Sequence, residues 1–249
     1  MRFLFRPLPG FTALFVPMLA ILLALGLWQI QRLHWKTALI AQMNENMHGA
    51  VLSIGDVLRM GPEAAEYRRV ALDGRYRNNE ESYVYGLDRH GAPVLHVYTP
   101  LDLSQGGTIL VDRGIVPMNL RSPSTRAVGE LDGVRHVIGI VRLPSAPGLF
   151  TPAADLAHRT WFARDVSGIA RADHLKLVAP IMVEADATPN PGGWPQGGQT
   201  RVDLPNDHLQ YAVTWFLMAA GLVVVYFAYH RSHGRIGIFP SPPPRERGG

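Results

Sequence analysis

Two runs without a formal charge, residues 11–30 and 209–229, constrain this 249-residue chain more than any other feature. A helix rises about 1.5 Å per residue, so about 20 apolar residues cross a hydrocarbon core of about 30 Å. The first run holds Pro17 near its start, where few backbone hydrogen bonds are lost. A cleaved signal peptide is the competing reading, with Arg2 and Arg6 as its basic region. Against it, the run is long for a signal core, and Ala24-Leu25-Gly26 is a poor cleavage site ahead of more apolar residues. The second run ends in Tyr226, Tyr229, His230 and Arg231, an aromatic and basic stop.

Between and around these spans the composition is that of a soluble domain. Mean hydropathy is only +0.04, and the 18% of charged residues lies below the roughly 25% of an average globular protein, as two charge-poor spans would make it. Net charge is +4, but much of the excess lies in Arg2, Arg6, Arg231, Arg235, Arg245 and Arg247, beside the spans. Basic residues there are topology signals, and no basic stretch interleaved with aromatics suggests nucleic-acid binding. Together with Asp203 and Asp207 ahead of the second span, they place both tails in the cytoplasm; Arg32 and Lys36 argue weakly the other way. The expected organisation is a cytoplasmic tail (1–10), a transmembrane helix (11–30), an outward-facing domain, periplasmic in a bacterium (31–207), a second transmembrane helix (208–229) and a cytoplasmic Arg- and Pro-rich tail (230–249). The end of that tail, 239–249, has the composition of a disordered segment.

Residues 33–47 continue the helical pattern of the first span, and 53–60 suggest a short helix. Strand-like pieces follow at 67–76, 82–86, 93–99, 108–116, 134–143 and 178–185, each rich in Val, Ile, Leu, Tyr or Thr and separated by turn residues. Residues 164–174 read as one amphipathic helix, and 188–199 as a Pro/Gly linker around Trp194. The fold class is α+β: two transmembrane helices flanking a mostly antiparallel β-rich domain, as a sheet or open barrel.

The chain has no cysteine, which excludes disulfides, thiolate nucleophiles, cysteine-held copper or iron–sulfur centres and covalent haem attachment. Hydrolase signals are weak: there is no Gly-x-Ser-x-Gly, no Ser-x-x-Lys and no phosphate loop ahead of a helix, and acidic residues are scattered. The chain reads as a non-enzyme. In Val111-Asp112-Arg113-Gly114 a strand runs into a turn, with a local ion pair open to Asp112 and Arg113 and a special backbone angle to Gly114.

The chemistry points to His208, at the mouth of the second span, because ionisable residues near hydrocarbon are costly and often functional. In a helix His208, Tyr211, Ala212 and Trp215 share one face. Ala212 leaves room beside the imidazole, and the aromatics suit a flat apolar ligand such as haem. The bland alternative is an interfacial aromatic belt beside a polar helix start. At the outer end of the first span Trp28, Arg32 and Trp35 share another face, where Arg32 is suited to a propionate or a lipid phosphate, or simply snorkels. No other histidine forms a close ligand pair, and His96 and His136 read as structural.

The string Leu27-Trp28-Gln29-Ile30-Gln31-Arg32-Leu33-His34-Trp35-Lys36 resembles a signature of the Surfeit locus protein 1 family. So do Tyr67-Arg68, Gly74-Arg75-Tyr76, Leu110-Val111-Asp112-Arg113-Gly114-Ile115-Val116-Pro117, Gly197-Gly198-Gln199-Thr200-Arg201 and Asn206-Asp207-His208-Leu209-Gln210-Tyr211-Ala212-Val213-Thr214-Trp215, in the same order. Asp112 departs from a pattern that favours Asn. The resemblance implies an assembly factor for haem-copper terminal oxidases, especially cytochrome c oxidase; with the charge asymmetry, the expected location is the bacterial inner membrane. It implies transient binding of haem a, with His208 as iron ligand, and passage of haem from haem A synthase to the oxidase catalytic subunit. His208, Tyr211, Trp215, Trp28 and Arg32 are the expected cofactor-binding residues. A cofactor-free scaffold for the oxidase subunit is the alternative.

Overall fold

In the computed structural model, which describes residues 2–201 and 204–239, the elements follow in chain order. They are β1 (Arg2–Phe5), α1 (Pro9–His48), β2 (Leu52–Ser53), α2 (Ile54–Met60), α3 (Pro62–Ala65), β3 (Arg69–Tyr76), β4 (Ser82–Leu87) and β5 (Pro93–Leu103). Then come β6 (Thr108–Pro117), β7 (Val134–Arg142), β8 (Thr160–Trp161), α4 (Val166–Ala172), β9 (Leu177–Ala185), α5 (His208–Ser232) and β10 (Ile236–Phe239). Two units result, residues 2–41 with 204–239, and residues 42–201.

The first unit is a helical hairpin. On α1 the shielded residues recur at Thr12, Phe15, Leu19, Leu22, Gly26, Gln29, Leu33 and Lys36, alternating three and four apart. On α5 they recur at His208, Ala212, Trp215, Ala219, Leu222 and Tyr226. This is the heptad spacing that holds two helices along one seam. Gly26 permits the close approach, since a Cβ there would lie 2.7 Å from the Phe216 ring. Only 6% of the apolar window of α1 and 17% of that of α5 is buried, so these are not core helices of a soluble protein. Leu14, Ile21, Leu27, Leu217 and Val224 point outward, an apolar surface suited to hydrocarbon rather than water. Both helices are long and apolar enough to span a bilayer.

The far end of the hairpin is closed by a clasp. Strands β1 and β10 pair antiparallel, so part of each tail is ordered, Phe239 included, contrary to the expected disorder from 239 onward. Phe11 and Phe15 stack on Tyr226, whose hydroxyl lies 2.6 Å from that of Thr12. The tail expectation for 240–249, and Asp203, lie outside the described residues.

In the second unit the expected mixed α+β architecture is present, and its sheet closes. Strands β3, β7, β9, β6 and β5 pair in succession, and β5 returns to β3. Four of these five pairings are antiparallel and one, β6 with β9, is parallel. Closure depends on β5. A register shift between His96 and Tyr98 bends the strand, so its first half pairs with β4 and its end, Leu101–Leu103, with β3. Gly74 lies opposite; a Cβ there would come within 2.9 Å of the Leu101 side chain. Val70, Leu72, Leu101, Ile109, Val111 and Val183 fill the interior, as small barrels require. Ser53 caps α2 through a reciprocal capping box with Asp56, which fixes the helix start.

Two sequence expectations are corrected here. Residues 188–199 are not a free linker. Gln196 exchanges both backbone hydrogen bonds with Ile115, and Gly198 donates to the Ala185 carbonyl, so the segment straps the barrel. Residues 111–114 do not enter a turn, because β6 runs on to Pro117, with Gly114 at φ +113° beneath the strap. Asp112 and Arg113 make no ion pair with each other; adjacent strand residues point to opposite faces. Asp112 binds His96. Arg113 enters a buried network with Glu81, Arg126 and Glu130 that the scattered acidic residues did not announce. Tyr83 donates to Glu81, and Arg113 lies 4.8 Å over the Tyr76 ring.

Candidate functional site

His208 opens α5, and the seam turns it toward α1. Its Nδ1–H donates to the side-chain carbonyl of Gln29 at 2.7 Å, and Gln29 is itself buried. This bond fixes the tautomer that leaves the Nε2 lone pair outward. Among the described residues Nε2 has no hydrogen-bond partner. Orienting one imidazole nitrogen so that the other is presented is the arrangement around metal-binding histidines. Around the ring, Lys36 donates to the Pro205 carbonyl and Asn206 to the Thr37 hydroxyl at 3.3 Å, holding the start of α5 against α1.

The pocket beside this imidazole is shallow, about 220 Å³, and is lined by Gln29, Lys36, Pro205, Asp207, His208 and Tyr211. Clefts that enclose small molecules run from about 300 to 1,000 Å³. No group of three or more metal-ligating side chains occurs among the described residues. The donor set therefore fits a single axial bond to a metal that carries its own equatorial ligands, as iron in haem does. It does not enclose a porphyrin, whose body would be left against lipid or a partner.

The other expected residues are distributed unevenly. Ala212 is fully buried in the seam and Trp215 half-buried, whereas Tyr211 is exposed beside His208. Trp28, Arg32 and Trp35 do not meet the imidazole. They lie on the exposed flank of α1, with Trp28 turned about 100° from Gln29 at 3.6 residues per turn. There the Arg32 guanidinium sits between the two indoles, 6.0 Å from Trp28 and 4.9 Å from Trp35. The residue that reaches His208 is Gln29, and the heptad spacing of the first span carried the signal for it.

A second histidine in the hairpin serves as an internal comparison. His230 is more deeply buried than His208, with no exposed surface. Its Nε2 accepts from the Leu8 N–H at 3.1 Å and its Nδ1–H donates to the Tyr226 carbonyl at 2.8 Å. Both nitrogens are used, so this ring is closed to a metal. Burial alone does not make a ligand, and the free nitrogen distinguishes His208.

The sequence profile of the SURF1 family matches residues 16–220, from within the first helix into the second. Surfeit locus protein 1 of Takifugu rubripes is 33% identical over 225 residues, covering 82% of this chain and 90% of the relative. The Homo sapiens protein of that name is 33% identical over 220 residues, covering 82% of this chain and 72% of the relative. A SURF1-like protein of Drosophila melanogaster is 30% identical over 236 residues, covering 88% of this chain and 76% of the relative. The chain belongs to the SURF1 family.

Proposed function

We propose that this SURF1-family chain is a membrane-anchored, non-catalytic assembly factor for a haem-copper oxidase, and that it holds haem a through His208 for transfer to the oxidase catalytic subunit. The oriented imidazole with a free Nε2 carries this reading. Haem, when bound, would supply the iron, and His208 would hold it through Nε2. The chain's own residues do the rest. Gln29 holds the ring, Ala212 gives it room, and exposed Tyr211 offers an aromatic surface beside it. Trp215 has a supporting place in the seam, while Trp28 and Arg32 present a cation on the flank of α1, suited to a propionate or a lipid phosphate. A site with one ligand and little enclosure suits delivery, because a carrier that buried its cargo would release it slowly.

The proposed setting is the bacterial inner membrane, with both termini cytoplasmic, residues 31–207 periplasmic, and haem A synthase as the donor partner. The test is an optical spectrum of protein extracted from membranes that make haem A, wild type against His208→Ala. The expected result is a haem a spectrum in the wild type from which the variant loses the share held by His208. An unchanged spectrum in His208→Ala refutes the assignment. A colourless wild-type protein that still co-purifies with the oxidase subunit replaces it with a cofactor-free scaffold.

A further inference from the structure

The extramembrane domain carries a second histidine set up as His208 is. Across one face of the sheet, Gly86 of β4, His96 of β5, Asp112 of β6 and Glu184 of β9 follow one another on neighbouring strands, beside the apolar row of Val84, Tyr98 and Met182. Gly86, His96, Asp112 and Glu184, with Val84 and Tyr98, line an open cleft of about 500 Å³. His96 Nδ1 lies 2.7 Å from the Asp112 carboxylate, which is buried and accepts the Gly114 N–H at 2.8 Å. The carboxylate takes the Nδ1–H and leaves Nε2 on the β4 side, over Gly86. Among the described residues Nε2 has no hydrogen-bond partner. The strand irregularity that closes the barrel falls beside His96, and such irregularities re-aim side chains at functional sites. Gly86 leaves the ring edge clear: a Cβ there would lie 3.1 Å from His96 Cδ2 and 3.3 Å from Nε2.

The rest of the cleft limits the ligand. Tyr85 and Phe162 are exposed at its rim, ring centroids 6.1 Å apart. The Gly148–Thr151 turn beside them presents Leu149 and Phe150 wholly to solvent. Arg164 lines the wall, paired to Glu184 at 3.2 Å. A bare metal ion needs three or four protein donors, and no such group occurs among the described residues. A metal that brings its own equatorial donors needs one. An aromatic, apolar rim suits the flat body of such a complex, and a carboxylate behind the imidazole strengthens the ligand bond.

We propose that this cleft is a second ligand site, in which His96 Nε2 takes the open axial position of a planar metal complex of the metalloporphyrin class. It is separate from the His208 site and does not depend on it. Asp112 is a positioning residue here.

The probe is ferric protoporphyrin IX, titrated by its Soret band into the full-length protein in lipid nanodiscs. The variants are His208→Ala, the same with His96→Gln, and the same with Gly86→Val, which crowds Nε2 and keeps the imidazole. His208→Ala is expected to retain one saturable equivalent, and each added substitution is expected to weaken it at least about tenfold, the scale of lost ligand orientation or more. Metal-free protoporphyrin, followed by fluorescence, is expected to bind at least about tenfold more weakly. The proposal is overturned if His208→Ala binds no equivalent, if both double variants bind like their parent, or if the metal-free ring binds as tightly. Because the assay is run without His208, its failure leaves the first site untouched.

Discussion

Replacing Gln29 with Leu separates ligand orientation from helix packing at the membrane site. Leu keeps the bulk in the seam and removes the carbonyl that accepts the His208 Nδ1–H at 2.7 Å. Hydrogen bonds between membrane helices contribute about 0.6 kcal/mol on average and at most about 1.7, so the hairpin should stay formed. Removing the group that orients a ligating histidine costs about 10–100-fold in affinity, or about 1.4–2.8 kcal/mol at 1.4 kcal/mol per tenfold. Gln29→Leu should therefore weaken haem binding by that factor and change helix content little. Haem titration followed at the Soret band in a His96→Gln background, with circular dichroism on the same samples, reads both. Haem affinity within twofold of wild type, in a folded variant, would show that Gln29 does not set the imidazole and would refute the tautomer argument.

The other predictions concern the domain. Arg126→Met leaves buried Glu81 and Glu130 short of a partner; breaking such a group costs about 3–5 kcal/mol. At about 2–4 °C per kcal/mol the domain transition should fall by about 6–20 °C, and a fall under about 2 °C contradicts the network's role. Gly114→Ala places a Cβ against the Gln196 backbone at φ +113°, so it should destabilise by about 1–3 kcal/mol from backbone strain and detach the strap. Hydrogen exchange at the Ile115 and Gln196 amides reports it, and unchanged protection would count against the strap. His96 has a pH signature. Burial opposes its charge, but Asp112 and then Glu184 outweigh burial and raise its pKa above the ordinary value. The folded form holds the proton more tightly, so this contribution is full below the unfolded value of about 6.5 and is lost as pH rises through the folded value. The advantage in melting temperature over Asp112→Asn should shrink from about pH 5.5 to about pH 8.5, and a constant difference would remove the pairing.

The spans were legible because hydropathy over 20 residues is a strong local signal, and the strands because alternation and turn residues are local too. Sequence spacing also put His208 on a face with Tyr211, Ala212 and Trp215; the structure shields His208, Ala212 and Trp215 and leaves Tyr211 exposed. What was not legible is non-local. Barrel closure joins Gly74 to Leu103, and the buried network joins Glu81 to Arg113, Arg126 and Glu130 across loops that carry no pattern. The strap at 188–199 reads as a linker because Pro and Gly are also what a close backbone approach needs. His230 reads as part of a basic stop signal, although it is the most buried histidine of the hairpin, because the two partners that close its nitrogens come from Leu8 and Tyr226. The Trp28 and Arg32 face was read correctly as a face of one helix. Its direction relative to α5 required the seam.

The central claim, that His208 Nε2 is an iron ligand and His230 is not, is tested most directly by pulsed electron paramagnetic resonance. The sample is the ferric haem-loaded protein carrying ¹⁵N-labelled histidine in a His96→Gln background, compared with the same chain bearing His208→Ala or His230→Ala. The account predicts a directly bound imidazole nitrogen coupling that persists in His230→Ala and loses the His208 contribution in His208→Ala. The same coupling, undiminished in His208→Ala, would contradict it.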